Sequence, residues 1–226
     1  MASHRKEAFI EEFTYWARQA LAELNLSISQ EKWTQFVRYF ALLKEMGEPL
    51  GLTALKTPKD YALKHFMDSL TVIPYLPPGP LLDLGTGAGL PGVIIKIMQP
   101  EREVWLVDAR KKAVSFLTYV AGVLKLEKLK IIQAKVGQND PLPRKYFAVV
   151  VCRAVKELLT LWKLSAPLVR PGGQLIAMKG PKVEEEIEKF KKTFPDLSVE
   201  THPLKLPLSQ DSRTIVVIKA SPSSGN

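Results

Sequence analysis

Leu81-Leu82-Asp83-Leu84-Gly85-Thr86-Gly87-Ala88-Gly89-Leu90-Pro91-Gly92 is the stretch on which the fold turns. Residues 81–85 read as a short apolar strand, the glycines that follow as a tight turn, and residues 92–98 as a helix. Glycine lets the backbone reverse sharply and approach a ligand with no Cβ in the way. A strand feeding a helix through such a turn is the opening unit of a sheet that binds ligands beyond the carboxyl ends of its strands.

The chain downstream repeats the unit. Residues 104–108 form a second strand, and the helix after it buries Val114, Leu117, Val120, Ala121 and Leu124. Residues 130–135 and 147–152 are the third and fourth strands. A helix around Leu158, Leu159, Trp162 and Leu168 leads through Pro171-Gly172-Gly173 to a fifth strand at 174–178. The next helix carries Val183, Ile187, Phe190 and Phe194, acidic early and basic late as the helix dipole prefers. Strands alternating with amphipathic helices imply a parallel sheet covered on both faces. The last two β-rich runs, 198–206 and 214–219, have no helix between them and are expected to pair antiparallel at one side.

Upstream the pattern is helical. Phe9, Phe13, Trp16, Ala20 and Leu24 recur at helical spacing, and Ser29 caps a second helix bearing Trp33, Phe36, Val37, Phe40 and Leu43. Gly47, Pro49 and Gly51 end it. A third helix runs from after Pro58 through His65 to near Ile73. The expected division is an N-terminal helical cap at 1–78, a ligand-binding domain at 79–220 and a disordered tail at 221–226.

Of 226 residues, 46% are hydrophobic and 24% charged, the balance of an ordinary globular protein. No run is long and apolar enough for a membrane span, and the first residues lack a secretory signal, so a cytoplasmic protein is expected. The single cysteine, Cys152, lies in an apolar run and reads as core, and with only three scattered histidines no metal site is expected. Thirty-two basic residues against 23 acidic ones give a formal charge of +9, compatible with a plain solvated surface or with an anionic partner, nucleic acid first.

Asp108 ends the second strand, where a carboxylate can accept hydrogen bonds from both hydroxyls of an adenosine ribose. Two cofactors use that geometry. Gly87 to Gly92 formally satisfies the dinucleotide pattern G-x-G-x-x-G, which alone is weak evidence. Asp83, two residues before the first glycine, would repel a pyrophosphate but could meet the cationic methionine end of S-adenosylmethionine. The antiparallel ending also favours a methyltransferase sheet. S-Adenosylmethionine is therefore the expected cofactor, an NAD(P)-dependent reductase the alternative.

Methyl transfer from a sulfonium is an in-line displacement in which alignment is the enzyme's main task. The fourth strand ends Val149-Val150-Val151-Cys152-Arg153-Ala154, with neither the Asn/Asp-Pro-Pro-aromatic motif used on exocyclic amines nor the Pro-Cys pair used in covalent attack on pyrimidines. A substrate with an available lone pair, such as guanine N7, needs positioning but no general base. Arg153, at the end of that strand, is expected to touch cofactor or substrate. Lys179-Gly180-Pro181-Lys182 ends the fifth strand. Together with Arg110, Lys111 and Lys112 it places cations on one rim that could hold nucleic-acid phosphates.

Lys64-His65-Phe66-Met67-Asp68-Ser69, the glycine block, Arg153-Ala154 and Ala177-Met178-Lys179-Gly180 occur in that order. With them the chain resembles, over nearly its whole length, the bacterial 16S ribosomal RNA guanine-N7 methyltransferase family, also called glucose-inhibited division protein B. The resemblance implies a Rossmann-like class I methyltransferase sheet with an N-terminal helical extension. It also implies S-adenosylmethionine as methyl donor and 16S rRNA as partner, whether free, in the small ribosomal subunit or in an assembly intermediate; a monomer is expected. Cofactor contacts are implied at Gly85, Leu90, Asp108, Ala109, Arg110, Val136, Gly137 and Arg153, beside Asp83, Gly87 and Gly89 from the loop itself. The family usually has an acidic residue where Gly137 stands and a serine at Cys152. His65 and Asp68 would face the site from the cap, as a packing pair or as substrate-positioning residues alongside Arg153 and Lys179. A non-catalytic RNA-binding protein on the same scaffold is a third reading, against which the intact Asp83, Gly85 and Asp108 speak.

Overall fold

The computed structural model describes residues 2–137, 140–153 and 156–222. Seven strands form one sheet in the order β3-β2-β1-β4-β5-β7-β6. They are β1 (Leu81–Leu84), β2 (Val104–Asp108), β3 (Leu129–Gln133), β4 (Phe147–Arg153), β5 (Val169–Lys179), β6 (Ser198–Lys205) and β7 (Ser212–Lys219). The first five run parallel and β7 lies antiparallel between β5 and β6, as the helix-free ending requires. Strand order reverses between β1 and β4, and the crevice at their carboxyl ends is where such sheets bind ligands.

The crossover helices sort by face. Helices α5 (Gly92–Met98) and α6 (Lys111–Leu124) cover one side. Helices α7 (Leu158–Ser165) and α8 (Glu184–Thr193) cover the other, where Leu161, Trp162 and Phe190 pack on Val150 and Ile218. The N-terminal helices α1 (Ala2–Glu23) and α2 (Gln30–Leu42) sit on the α5/α6 side. Their core is continuous with that of the sheet: Phe13, Phe36, Phe40 and Phe66 meet ring against ring and join a cluster that includes Ile94, Phe116 and Val217. Ser29 caps α2 through its side chain, as its sequence position requires. Among the described residues no helix is long and apolar enough to cross a membrane.

Three details differ from the sequence-based expectation. The third helix is mostly π-helical: α3 (Pro58–Asp60) and α4 (Asp68–Leu70) flank a π stretch, Tyr61–Met67. Pro171-Gly172-Gly173 lies inside β5 rather than before it. Phe147 pairs Val169 while Val149 already pairs Gln174, so the intervening β5 residues bulge out, and Gly172 takes φ +70. Helix α6 buries Ala113 and Phe116, whereas Val114 and Ala121 are only partly covered, because α2 packs on that flank. Of the tail, residues 223–226 lie outside the described residues.

Candidate active site

The loop between β1 and α5 is held from beneath by Asp83. Its carboxylate is fully buried, and Oδ2 accepts from the Thr86 hydroxyl at 2.6 Å and the Gly92 amide at 2.8 Å. Its Oδ1 is buried without a partner among the described residues. Burial pushes the Asp83 carboxyl up to about 6, although the bonds from Thr86 and Gly92 and the charge of Arg153 oppose the rise. Gly85 takes φ +72 at the mouth of the loop. Gly89, at φ +101, leaves no room for a Cβ between Val93 and Leu117. The loop is also held from the cap: the buried Tyr39 hydroxyl donates to the Ala88 carbonyl at 2.9 Å.

Asp108 ends β2 beside this loop. Its Oδ2 accepts from the Gly87 amide at 2.9 Å and its Oδ1 from the Arg110 amide at 2.9 Å. The Arg110 guanidinium, half exposed, reaches both oxygens at 3.0 and 3.1 Å. Burial would raise the Asp108 carboxyl, but these donors hold it below the usual carboxylate range. An ionised acceptor stands at the carboxyl end of β2, held by a half-exposed arginine side chain.

A cavity of about 480 Å³ opens at this crest. Gly85, Asp108, Ala109, Val136, Gly137 and Arg153, named from the sequence as candidate cofactor contacts, line it. So do Lys135, Lys156, Thr160, Leu161 and Leu164, which sequence reading missed; the last three share one face of α7, and their helical spacing was the available signal. Asp83, Gly87, Gly89, Leu90 and Arg110 do not line it. Asp83 shapes the loop from below, and Arg110 lies over Gly87 and Asp108. Gly137 takes φ +89 and a Cβ there would strike Leu164, so glycine suits this chain where the resemblance implies an acid. The buried Asp140 accepts the Gly137 amide at 2.8 Å.

The cap closes the other side. Arg153 donates to the Lys64 carbonyl at 3.1 Å and approaches His65 Nδ1 at 3.4 Å and Asp68 Oδ2 at 3.6 Å. Arg213, from β7, reaches Asp68 Oδ1 at 3.2 Å. His65 Nδ1 also lies 3.3 Å from the Lys64 carbonyl, and its Nε2 lies 2.7 Å from Thr53 Oγ1, so the ring is held on both edges. Burial and the Arg153 charge push the imidazole down to about 3, so it stays neutral. His65 and Asp68 thus converge on Arg153 from the cap.

Lys179 is not a rim cation. It is buried, and its Nζ donates to Glu186 at 2.7 Å and to the Lys156 carbonyl at 2.6 Å, tying α8 to the segment after β4. An apolar strand end drew the lysine inward once Glu186 could partner it. Cys152 is buried with its Sγ 3.2 Å from the Leu84 carbonyl, and burial pushes its thiol up to about 12, far from a nucleophilic thiolate.

The cavity suits an adenosine sulfonium. Apolar walls flank the ionised carboxylate that ends β2, and a buried carboxylate oxygen without a partner among the described residues lies under the β1–α5 loop. The family model described as rRNA small subunit methyltransferase G matches residues 32–216. Proteins named ribosomal RNA small subunit methyltransferase G are similar throughout. That of Pelotomaculum thermopropionicum is 38% identical over 89% of this chain and 88% of its own length. That of Staphylococcus aureus strain JH9 is 35% identical over 90% and 88%. In fold, a SAM dependent methyltransferase from Aquifex aeolicus superposes with a TM-score of 0.57 at 17% identity, over 75% of this chain and 97% of that one. The chain belongs to the rRNA small subunit methyltransferase G family.

Proposed function

We propose that this chain transfers the methyl group of S-adenosylmethionine to N7 of a guanine in 16S rRNA, acting as a cytoplasmic monomer. The observation that carries this reading is the crest cavity, with Gly85, Asp108 and Arg153 on its walls, in a chain of this family. S-Adenosylmethionine supplies an electrophilic methyl on sulfur. Guanine N7 already bears an in-plane lone pair, so the C–N bond forms as the C–S bond breaks, the positive charge passes to the purine, and no proton need be removed.

The residues fit a reaction that needs alignment rather than a base. Asp108 is the acceptor for the ribose hydroxyls once Arg110 moves off it, and Val136 and Gly137 bound the cavity where an adenine would lie. Asp83 and the loop above it shape the seat of the amino-acid end. Neutral His65 and Asp68 hold Arg153 at the junction of cap and cavity, where a guanine edge would enter. Cap 1–78 and catalytic part 79–220 are proposed as cooperating halves joined by one core.

The test is calorimetry with S-adenosylhomocysteine and with NAD, followed by tritiated methyl transfer to 16S rRNA lacking this modification. Binding of S-adenosylhomocysteine alone and incorporation into that RNA are expected. Binding of NAD instead, or no incorporation, removes the proposal.

A further inference from the structure

Helix α6 starts at the crest, immediately after the Asp108–Arg110 corner. From Lys111 to Lys125 the chain contains no acidic residue, and the solvent side of α6 presents Lys111, Lys112 and Tyr119, the last 50% exposed, with Lys125 at its end. Among the described residues none of these lysines has an ion-pair partner.

The cap extends the same surface. Gln35 of α2 donates to the Leu124 carbonyl, Gly47 lies beside Phe116, and Gly51 lies beside the Lys112 ammonium, so α2 and its continuation run antiparallel along α6. Arg38, three residues beyond Gln35 and exposed, falls on that flank, also without an ion-pair partner among the described residues. The opposite face of the sheet differs. There α8 carries Glu184, Glu185, Glu186 and Glu188 among its lysines, and Lys189 pairs with Glu157. A polyanion approaching the crest meets unneutralised charge on the α6 side and compensated charge on the α8 side.

We propose that the exposed face of α6, with Arg38 of α2 beside it, is the track on which the substrate RNA backbone lies while its guanine enters the crest. The proposal rests on the methyltransferase reading above and adds where the RNA docks. Lysines along a helix of this length neutralise successive phosphates, and Tyr119 offers a ring on which an unpaired base can stack.

The test compares Lys111→Ala/Lys112→Ala on α6 with Lys191→Ala/Lys192→Ala on α8. S-Adenosylhomocysteine affinity and melting temperature are measured alongside binding of a 16S rRNA fragment across a salt series. In the α6 variant RNA affinity should fall on the order of tenfold, and the slope of log K against log salt should shrink by about 1.4, roughly 0.7 for each single-strand phosphate that is no longer neutralised. Its cofactor affinity should not move, nor should either property of the α8 variant. RNA affinity and slope unchanged in the α6 variant, or equal losses in both, overturn the track. Should the wild type bind RNA through α6 yet methylate none, the track stands and the function assigned above fails.

Discussion

Replacing Asp83 with asparagine isolates the energetic position of the loop carboxylate. Asparagine keeps an oxygen to accept from Thr86 and Gly92 and removes only the charge. In the folded chain the carboxyl is raised from 3.8 to about 6, chiefly by burial. The stability this group contributes is therefore fully present below about pH 4 and is lost as pH rises through about 6, because the unfolded chain ionises more readily. About two pH units at roughly 1.36 kcal/mol each amount to about 3 kcal/mol. Urea unfolding of both proteins at about pH 4 and pH 8 should show Asp83→Asn gaining about 3 kcal/mol on the wild type between the two, with most of the change between pH 4 and 6. Any fixed cost of the new amide cancels in that difference. Because the charge lies beneath the loop that seats a cationic ligand, the same variant should bind S-adenosylmethionine more weakly at pH 8. A stability difference independent of pH, or one favouring aspartate at high pH, refutes the reasoning.

Tyr39→Phe leaves the buried Ala88 carbonyl without its donor, costing about 1–3 kcal/mol in urea unfolding; calorimetry on the folded variant should also show weaker S-adenosylhomocysteine binding, since the glycine loop loses its brace. Asp108→Ala removes the acceptor of the ribose hydroxyls, and a charge-assisted bond of about 1.5–3 kcal/mol corresponds to roughly a 10- to 150-fold loss of cofactor affinity by calorimetry. Lys179→Met should destabilise by a few kcal/mol in thermal or urea melts, on the order of 3, because Glu186 is left without its buried partner; its cofactor affinity should stay near wild type.

The alternation of strand and helix was legible because each element's burial is written in its own residues: 104–108 is apolar throughout up to Asp108 and entirely buried, and the helix-free gap between β6 and β7 could only make an antiparallel pair. The glycine block and Asp108 were legible for a related reason, since tight turns and strand ends are local. What escaped was set by distant partners. Arg213 lies 145 residues from the Asp68 it contacts, and Tyr39 lies 49 from Ala88, so neither pairing leaves a local trace. Lys179 reads as a rim cation until Glu186 is seen to face it. Pro171-Gly172-Gly173 reads as a turn because the sheet's tolerance of a bulge there depends on β4 and on Ser221, whose carbonyl accepts the Gly172 amide. Asp83 was placed at the ligand by its sequence position, whereas the structure shows it supporting the loop from below.

In the proposed function the crest cavity directs a methyl group onto a guanine ring nitrogen of small-subunit rRNA. Mass spectrometry of nuclease-digested 16S rRNA, taken from a strain lacking its own enzyme and incubated with this protein and S-adenosylmethionine, tests it most directly. One new 7-methylguanosine in a single fragment is expected, with its yield sharply reduced for Asp108→Ala at limiting S-adenosylmethionine. A methyl on another base, on an exocyclic amine or on no fragment at all would contradict it.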